Sequence, residues 1–170
     1  MNTMSYLQVY DSGSDEFLRQ YEILGRVTSL MSKSASHAQL PLSYLARVWL
    51  PAIRHNNVKC YFNDDGEIVA MLAWAFLSEA TIQRLCDSGR MDLHLSEWNE
   101  GDQLWIVDFL APHGNLRYVL RNMRDQLFPG QKRISYCRYK RDHILLKSVT
   151  RSDQSAFFRS ALPEVAQPDR

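Results

Sequence analysis

One carboxylate stands inside an apolar run of strand length. Leu104-Trp105-Ile106-Val107 precedes Asp108, and Phe109-Leu110 follows it. Gly101 and Asp102 punctuate the start of the run, and Pro112, His113 and Gly114 stop it. A short run bounded by turn residues and rich in β-branched and aromatic types predicts a central strand buried on both faces. An ionised aspartate in such a place is costly unless it is paired or hydrogen-bonded. Asp108 therefore asks for a partner from elsewhere in the chain, and the polar candidates are the five histidines and Ser34. A histidine set against a carboxylate is an acid–base pair that works near neutral pH. Other chemistries lose their usual support. The chain has no Walker loop, no Gly-x-Gly-x-x-Gly, no Gly-x-Ser-x-Gly elbow and no His-Glu-x-x-His. Cys60, Cys86 and Cys137 are odd in number and widely spaced, form no metal-ligand pattern, and suit reduced thiols.

The elements that must position these residues follow from periodicity and punctuation. Ser14, with Asp15 and Glu16 behind it, can cap a helix whose apolar positions Phe17, Tyr21, Leu24, Thr28 and Met31 recur at helical spacing. That helix ends in the small-residue stretch 32–36, and His37 follows. Pro41 fits the first position of a second helix with Tyr44, Leu45, Val48 and Trp49 on its apolar face, which Pro51 is expected to kink or end. Residues 58–62 read as a strand, Asn63-Asp64-Asp65-Gly66 as a hairpin turn, and 68–77 as a longer apolar strand. Ser78 caps a short helix closed by Gly89, and 90–100 is an irregular loop carrying His94 and Trp98. Beyond Gly114 comes a helix through Leu116, Val119, Leu120, Met123 and Leu127, then strands at 134–140 and 144–149 joined by a turn. This order predicts an α/β (α+β) fold, a mixed sheet with helices on its faces. A ligand would sit at the carboxyl end of the central strand, near Asp108, Pro112, His113 and Gly114. Residues 1–170 read as one domain, with 1–13 and 152–170 as flexible ends apart from a Phe157-Phe158 pair suited to docking.

Composition sets the outer limits. The apolar share of 45% and charged share of 23% are those of a globular protein, and 170 residues can bury a substantial core. A net charge of +1 speaks against nucleic-acid binding through bulk charge. No apolar run approaches the roughly 18 residues that span a bilayer, and the N-terminus lacks the charged-then-apolar order of a signal peptide. A cytoplasmic protein is expected.

Four segments carry a resemblance to a known family: Ser34-x-x-His37; Leu50-Pro51-Ala52-Ile53-Arg54; residues 70–77 with Ala73-Trp74-Ala75; and Trp98-Asn99-x-Gly101-Asp102-x-Leu104-Trp105-Ile106-Val107-Asp108-Phe109-Leu110-Ala111-Pro112. The stretch from about residue 30 to 130 resembles the RTX toxin-activating lysine acyltransferases. The resemblance implies a fold similar to the GNAT-type N-acyltransferases. It also implies transfer of a fatty acyl chain from acyl carrier protein to internal lysines of an inactive RTX protoxin. The family's essential histidine matches His37 and its essential aspartate matches Asp108. A serine three residues before the histidine matches Ser34, and a supporting glycine matches Gly101. The implied partners are acyl carrier protein and the protoxin, with a homodimer as family precedent. No metal and no resident cofactor are implied, and the acyl thioester is a co-substrate.

The residue types suit that reaction. A lysine amine with a pKa near 10.4 is only about 0.04% neutral at pH 7, and only the neutral form attacks a thioester. A positioned base contributes about 10²–10⁴ in rate. His37 fits the base and Asp108 the group that fixes its tautomer, while acylation of His37 or Ser34 is an alternative route. The loop Pro112-His113-Gly114-Asn115 lacks the glycine pattern that holds the pyrophosphate of coenzyme A, which favours a carrier protein as donor. Arg117, Arg121, Arg124, Lys132, Arg133, Arg138, Lys140 and Arg141 could guide an acidic carrier. The sequence departs from the family at Ala35, at Ala38-Gln39-Leu40 and at His113. Two rival readings stay open: an acetyl-coenzyme A-dependent N-acetyltransferase, and a non-catalytic toxin-binding partner or chaperone.

Overall fold

A computed structural model describes residues 14–140 and 143–150. The expectations for the two chain ends, the Phe157-Phe158 pair and the turn at 141–142 lie outside those residues. Helix α1 (Ser14–Lys33) is followed by a π-helical turn (Leu45–Trp49) that runs directly into α2 (Leu50–Arg54). Strands β1 (Val58–Phe62) and β2 (Ile68–Leu77) form a hairpin, with Gly66 at φ +77° where only a residue without a Cβ turns freely. Helix α3 (Glu79–Ser88) is capped as its sequence predicts: the Thr81 N–H donates to Ser78 Oγ, and Gly89 closes the helix at φ +63°. After a short 3₁₀ turn (Leu95–Glu97) come β3 (Gln103–Leu110), α4 (Leu116–Asn122) with a π turn behind it (Met123–Leu127), β4 (Arg133–Lys140) and β5 (His143–Thr150).

The five strands lie in the order β1-β2-β3-β4-β5, so the Asp108 strand is the middle one. Neighbouring strands pair in antiparallel fashion except β3 and β4, which are parallel and connected through α4. The mixed sheet flanked by helices is the α+β architecture expected. Apolar residues fill both faces. On one, α1 (Val27, Leu30), the π turn (Leu45, Val48, Trp49) and Ala52 pack on Met71, Ala73, Ala75, Trp105, Val107 and Leu110. On the other, Val119, Leu120, Met123 and Phe128 pack on Ala70, Leu72, Trp74, Leu104 and Ile134. Successive residues of β2 alternate between the two layers, which is why its sequence is continuously apolar.

Two departures from regular geometry shape the surroundings of Asp108. Of the two outcomes expected of Pro51, it distorts the second helix and does not end it. In an α-helix its ring would collide with the carbonyl four residues back. Here the preceding turn widens instead, with the Leu50 N–H donating to the Leu45 carbonyl, and the helix continues to Arg54. The second departure is a β-bulge in β3. Ala73 pairs with Asp108 but Trp74 pairs with Ile106, so Val107 is the extra residue. Val107 and Asp108 therefore face the same side of the sheet, the side of α1 and α2, where simple alternation would send Asp108 to the other.

Candidate active site

Asp108 finds its partner in His37. The chain leaves α1 at Lys33 and turns tightly, with the His37 and Ala38 N–H groups both donating to the Ser34 carbonyl at 3.0 and 2.8 Å. This turn carries His37 over the end of β3, where its Nε2 lies 3.1 Å from Asp108 Oδ1. The two side chains are 16% and 9% exposed, so little water competes for the contact. Two further donors hold the carboxylate: the indole N–H of Trp49 reaches Oδ2 at 2.8 Å, and the main-chain N–H of Phe109 reaches Oδ1 at 2.7 Å.

Among the described residues, three nitrogen groups and no acceptor contact Asp108, which is the environment of a carboxylate. An ionised carboxylate only accepts, so Nε2 of His37 carries the proton and donates it. Neutral His37 then has its lone pair on Nδ1. That nitrogen faces Ser34 Oγ at 2.8 Å and Ser36 Oγ at 3.2 Å, and the two hydroxyls are 3.3 Å apart. The result is a serine–histidine–aspartate array, the logic of a hydrolase triad with the two ring nitrogens exchanged. It can withdraw a proton from an amine or activate the Ser34 hydroxyl.

Of the residues singled out from the sequence, Ser34, His37 and Asp108 meet. Gly101 does not join them. Its N–H donates to the Phe76 carbonyl, three residues along β2 from Ala73, the residue paired with Asp108, which separates the two by about 10 Å along the strand. Its role is steric: a Cβ there would stand 2.1 Å from the Leu77 carbonyl oxygen. The surrounding motif works with it. The Phe76 N–H donates to the Trp98 carbonyl, the Gly101 N–H donates to the Phe76 carbonyl, and Asn57 Nδ2 donates to Asn99 Oδ1. Trp98–Gly101 thus lies along β2 where β1 has ended. Among the other histidines, His55 stacks on Trp98, the His94 main-chain N–H donates to Glu97, and His113 is exposed. Trp49 and Ser36 join the array without a signal in the sequence. Trp49 reads there as one more apolar position of a helix face, and Ser36 as one of several small residues after α1. Among the described residues no cluster of His, Cys, Asp or Glu could hold a metal ion.

Comparison with known proteins decides the family. The model of the RTX toxin acyltransferase family matches residues 16–152. The chain belongs to that family. It is similar to the RTX-I toxin-activating lysine-acyltransferase ApxIC of Actinobacillus pleuropneumoniae, at 37% identity over 65% of this chain and 63% of that one. The leukotoxin-activating lysine-acyltransferase LktC of a Pasteurella haemolytica-like species is 29% identical over 82% and 78% of the two chains. The protein-lysine myristoyltransferase HlyC of Escherichia coli is 37% identical over 63% and 64%. The matched stretch spans less than two thirds of ApxIC and of HlyC. The four motifs read from the sequence all fall inside the part that the RTX toxin acyltransferase family model covers.

Proposed function

We propose that this chain is a protein-lysine acyltransferase that moves a fatty acyl group from the thioester of acyl carrier protein to internal lysines of an RTX protoxin. The observation that carries this reading is the array at Asp108, in which Nδ1 of His37 is the basic nitrogen. In direct transfer the lysine amine attacks the thioester carbonyl. Its proton passes to Nδ1, through the Ser34 hydroxyl or in its place, while Asp108 stabilises the imidazolium. The C–S bond then breaks, the amide forms, and the proton held by His37 goes to the departing thiolate.

The loop after β3 supports the choice of donor. The Gly114 N–H donates to the Ala111 carbonyl at 3.3 Å, so it is committed to its own turn, and this favours a carrier-borne thioester over coenzyme A. Arg117, Arg121, Lys132 and Arg133 are exposed and suit an acidic carrier, whereas Arg124 is paired with Asp125. No helix among the described residues is long and apolar enough to cross a membrane. Action in the cytoplasm, where carrier and newly made protoxin meet, and assembly as a homodimer belong to this reading.

The contact of 2.8 Å between Ser34 and Nδ1 favours a second route. There Ser34 Oγ takes the acyl group with loss of its proton to Nδ1, the thiol leaves, and lysine then attacks the ester. The test of function is mass spectrometry of an RTX protoxin coexpressed with this protein or with His37→Ala. A fatty-acyl mass on internal lysines, absent with the variant, is expected. A folded enzyme and protoxin with no added mass would remove the acyltransferase reading in favour of a binding partner.

A further inference from the structure

Among the described residues, the indole of Trp49 is the one side chain besides His37 that grips Asp108, and neither sequence nor family resemblance gives it a task. Two irregularities of the fold converge on this contact. The β-bulge at Val107 turns Asp108 to the helical face, and Trp49 closes the π turn that Pro51 imposes on the facing helix. Bulges and π turns are enriched at functional sites because they re-aim single side chains. A plain core role for Trp49 explains its complete burial, but not its partner. Among the described residues the indole N–H groups of Trp98 and Trp105 are buried with no partner, so burial of an indole in this core does not itself call for such a bond.

We propose that Trp49 is the positioning residue of the His37–Asp108 pair: by holding Oδ2 it presents Oδ1 to His37 Nε2, and so fixes the tautomer that leaves Nδ1 free to act as base. The proposal rests on the acyltransferase reading of the site. Without the indole N–H, the carboxylate keeps the Phe109 N–H on Oδ1 but can swing about it, and His37 loses its single tautomer. The loss then falls on turnover, since Trp49 is fully buried and has no surface to offer either substrate.

The test is Trp49→Phe in the full chain, assayed by acyl transfer to a protoxin fragment with acyl carrier protein as donor. Placing 3-benzothienylalanine at position 49 keeps the indole shape without the N–H, and serves if the smaller ring unfolds the protein. We expect kcat to fall at least tenfold with KM for both substrates within twofold. The ¹⁵N signals of the His37 imidazole should change from a single-tautomer pattern to an averaged one. A smaller loss of kcat in the shape-preserving variant, or an unchanged imidazole pattern, overturns the proposal. Asp108→Asn and His37→Ala are run beside it. If the wild type transfers no acyl group, the acyltransferase reading fails; if Asp108→Asn and His37→Ala keep turnover, the assignment of the site fails; if they lose it and the isostere does not, only the role of Trp49 fails.

Discussion

Asp108→Asn is the most informative single change, because the structure says what an amide can and cannot do there. Three N–H groups point at the two carboxylate oxygens: Trp49 at Oδ2, and His37 and Phe109 at Oδ1. An asparagine offers one acceptor oxygen and one NH₂. With its oxygen toward His37 and Phe109, its NH₂ faces the Trp49 N–H, leaving a buried donor unsatisfied at about 1–3 kcal/mol. With the amide reversed, its NH₂ faces the Phe109 N–H, which is left unsatisfied, and also His37, where only the Nδ1–H tautomer accepts that bond. The lone pair is then turned away from Ser34 and from any incoming amine. Loss of the correct tautomer in the comparable serine–histidine–aspartate geometry costs about 10⁴ in turnover. The expected result is therefore a drop of about 10³–10⁴ in single-turnover acylation, read as acyl mass on a protoxin fragment. Thermal unfolding should fall by only about 2–12 °C, from about 2–4 °C per kcal/mol for a chain of this size. Turnover within tenfold of wild type would refute the tautomer argument. Loss of turnover with a collapsed melting transition would show that Asp108 holds the fold and not the base.

Other changes separate roles that the sequence places side by side. Ser34→Ala should lower direct transfer by about tenfold or less, because Nδ1 stays available as base; complete loss, together with an acyl mass on the wild-type Ser34 peptide after incubation with donor alone, would establish the covalent route. Gly101→Ala should destabilise by about 3 kcal/mol, the upper end of the usual cost of overpacking, because the new Cβ meets main-chain atoms of Leu77 that cannot rotate away. Whatever fraction stays folded should retain its turnover per molecule, and a normal melting curve with lost activity would overturn the steric assignment. Burial pushes the Tyr61 hydroxyl up to about 12. A group whose proton is held more tightly in the folded state contributes stability below its unfolded pKa and loses it as pH rises to the folded one. Denaturant titrations should thus show stability falling between about pH 10 and 12, and Tyr61→Phe should flatten that part of the profile.

The order of elements was legible because this chain punctuates itself: Ser78 and Gly89 bracket α3, Gly66 turns the first hairpin, and Pro112 to Gly114 close β3. The need of Asp108 for a partner was legible from one physical premise, that a buried carboxylate needs donors; the choice of His37 among five histidines came with the family resemblance. The geometry of the pair was not legible. From Leu104 to Leu110 every residue except Asp108 is apolar, so alternation carries no information about which face Asp108 takes, and a bulge leaves no mark in such a run. Trp49 was hidden for the same reason: a tryptophan on an apolar helix face looks like packing, and only its phase after the π turn brings its N–H to the carboxylate. Gly101 was misleading in the opposite sense. It stands in the most distinctive motif of the chain, yet its neighbours are the main-chain atoms of Leu77 and Ser78.

The same distinction bears on the places where this chain departs from its family. Ala38, Gln39 and Leu40 follow His37 directly, and altered residues beside a base invite the reading that the base no longer works. The contacts argue otherwise. Ala38 and Leu40 donate main-chain bonds to the carbonyls of Ser34 and His37; the side chains of Ala38 and Gln39 are exposed, and that of Leu40 is 37% exposed. Ala35 is exposed as well, and the hydrogen bonds that define the tautomer come from Ser34, Ser36, Asp108, Trp49 and the Phe109 main chain. Every hydrogen-bonding group of the acid–base array is thus independent of the departing side chains. Changes at solvent-facing positions around an intact base alter what is presented to it, the acyl chain or the lysine segment, sooner than they alter proton transfer. Under the proposed function the departures therefore weigh on substrate choice, and they give the non-catalytic reading no support from the hydrogen bonds of the array.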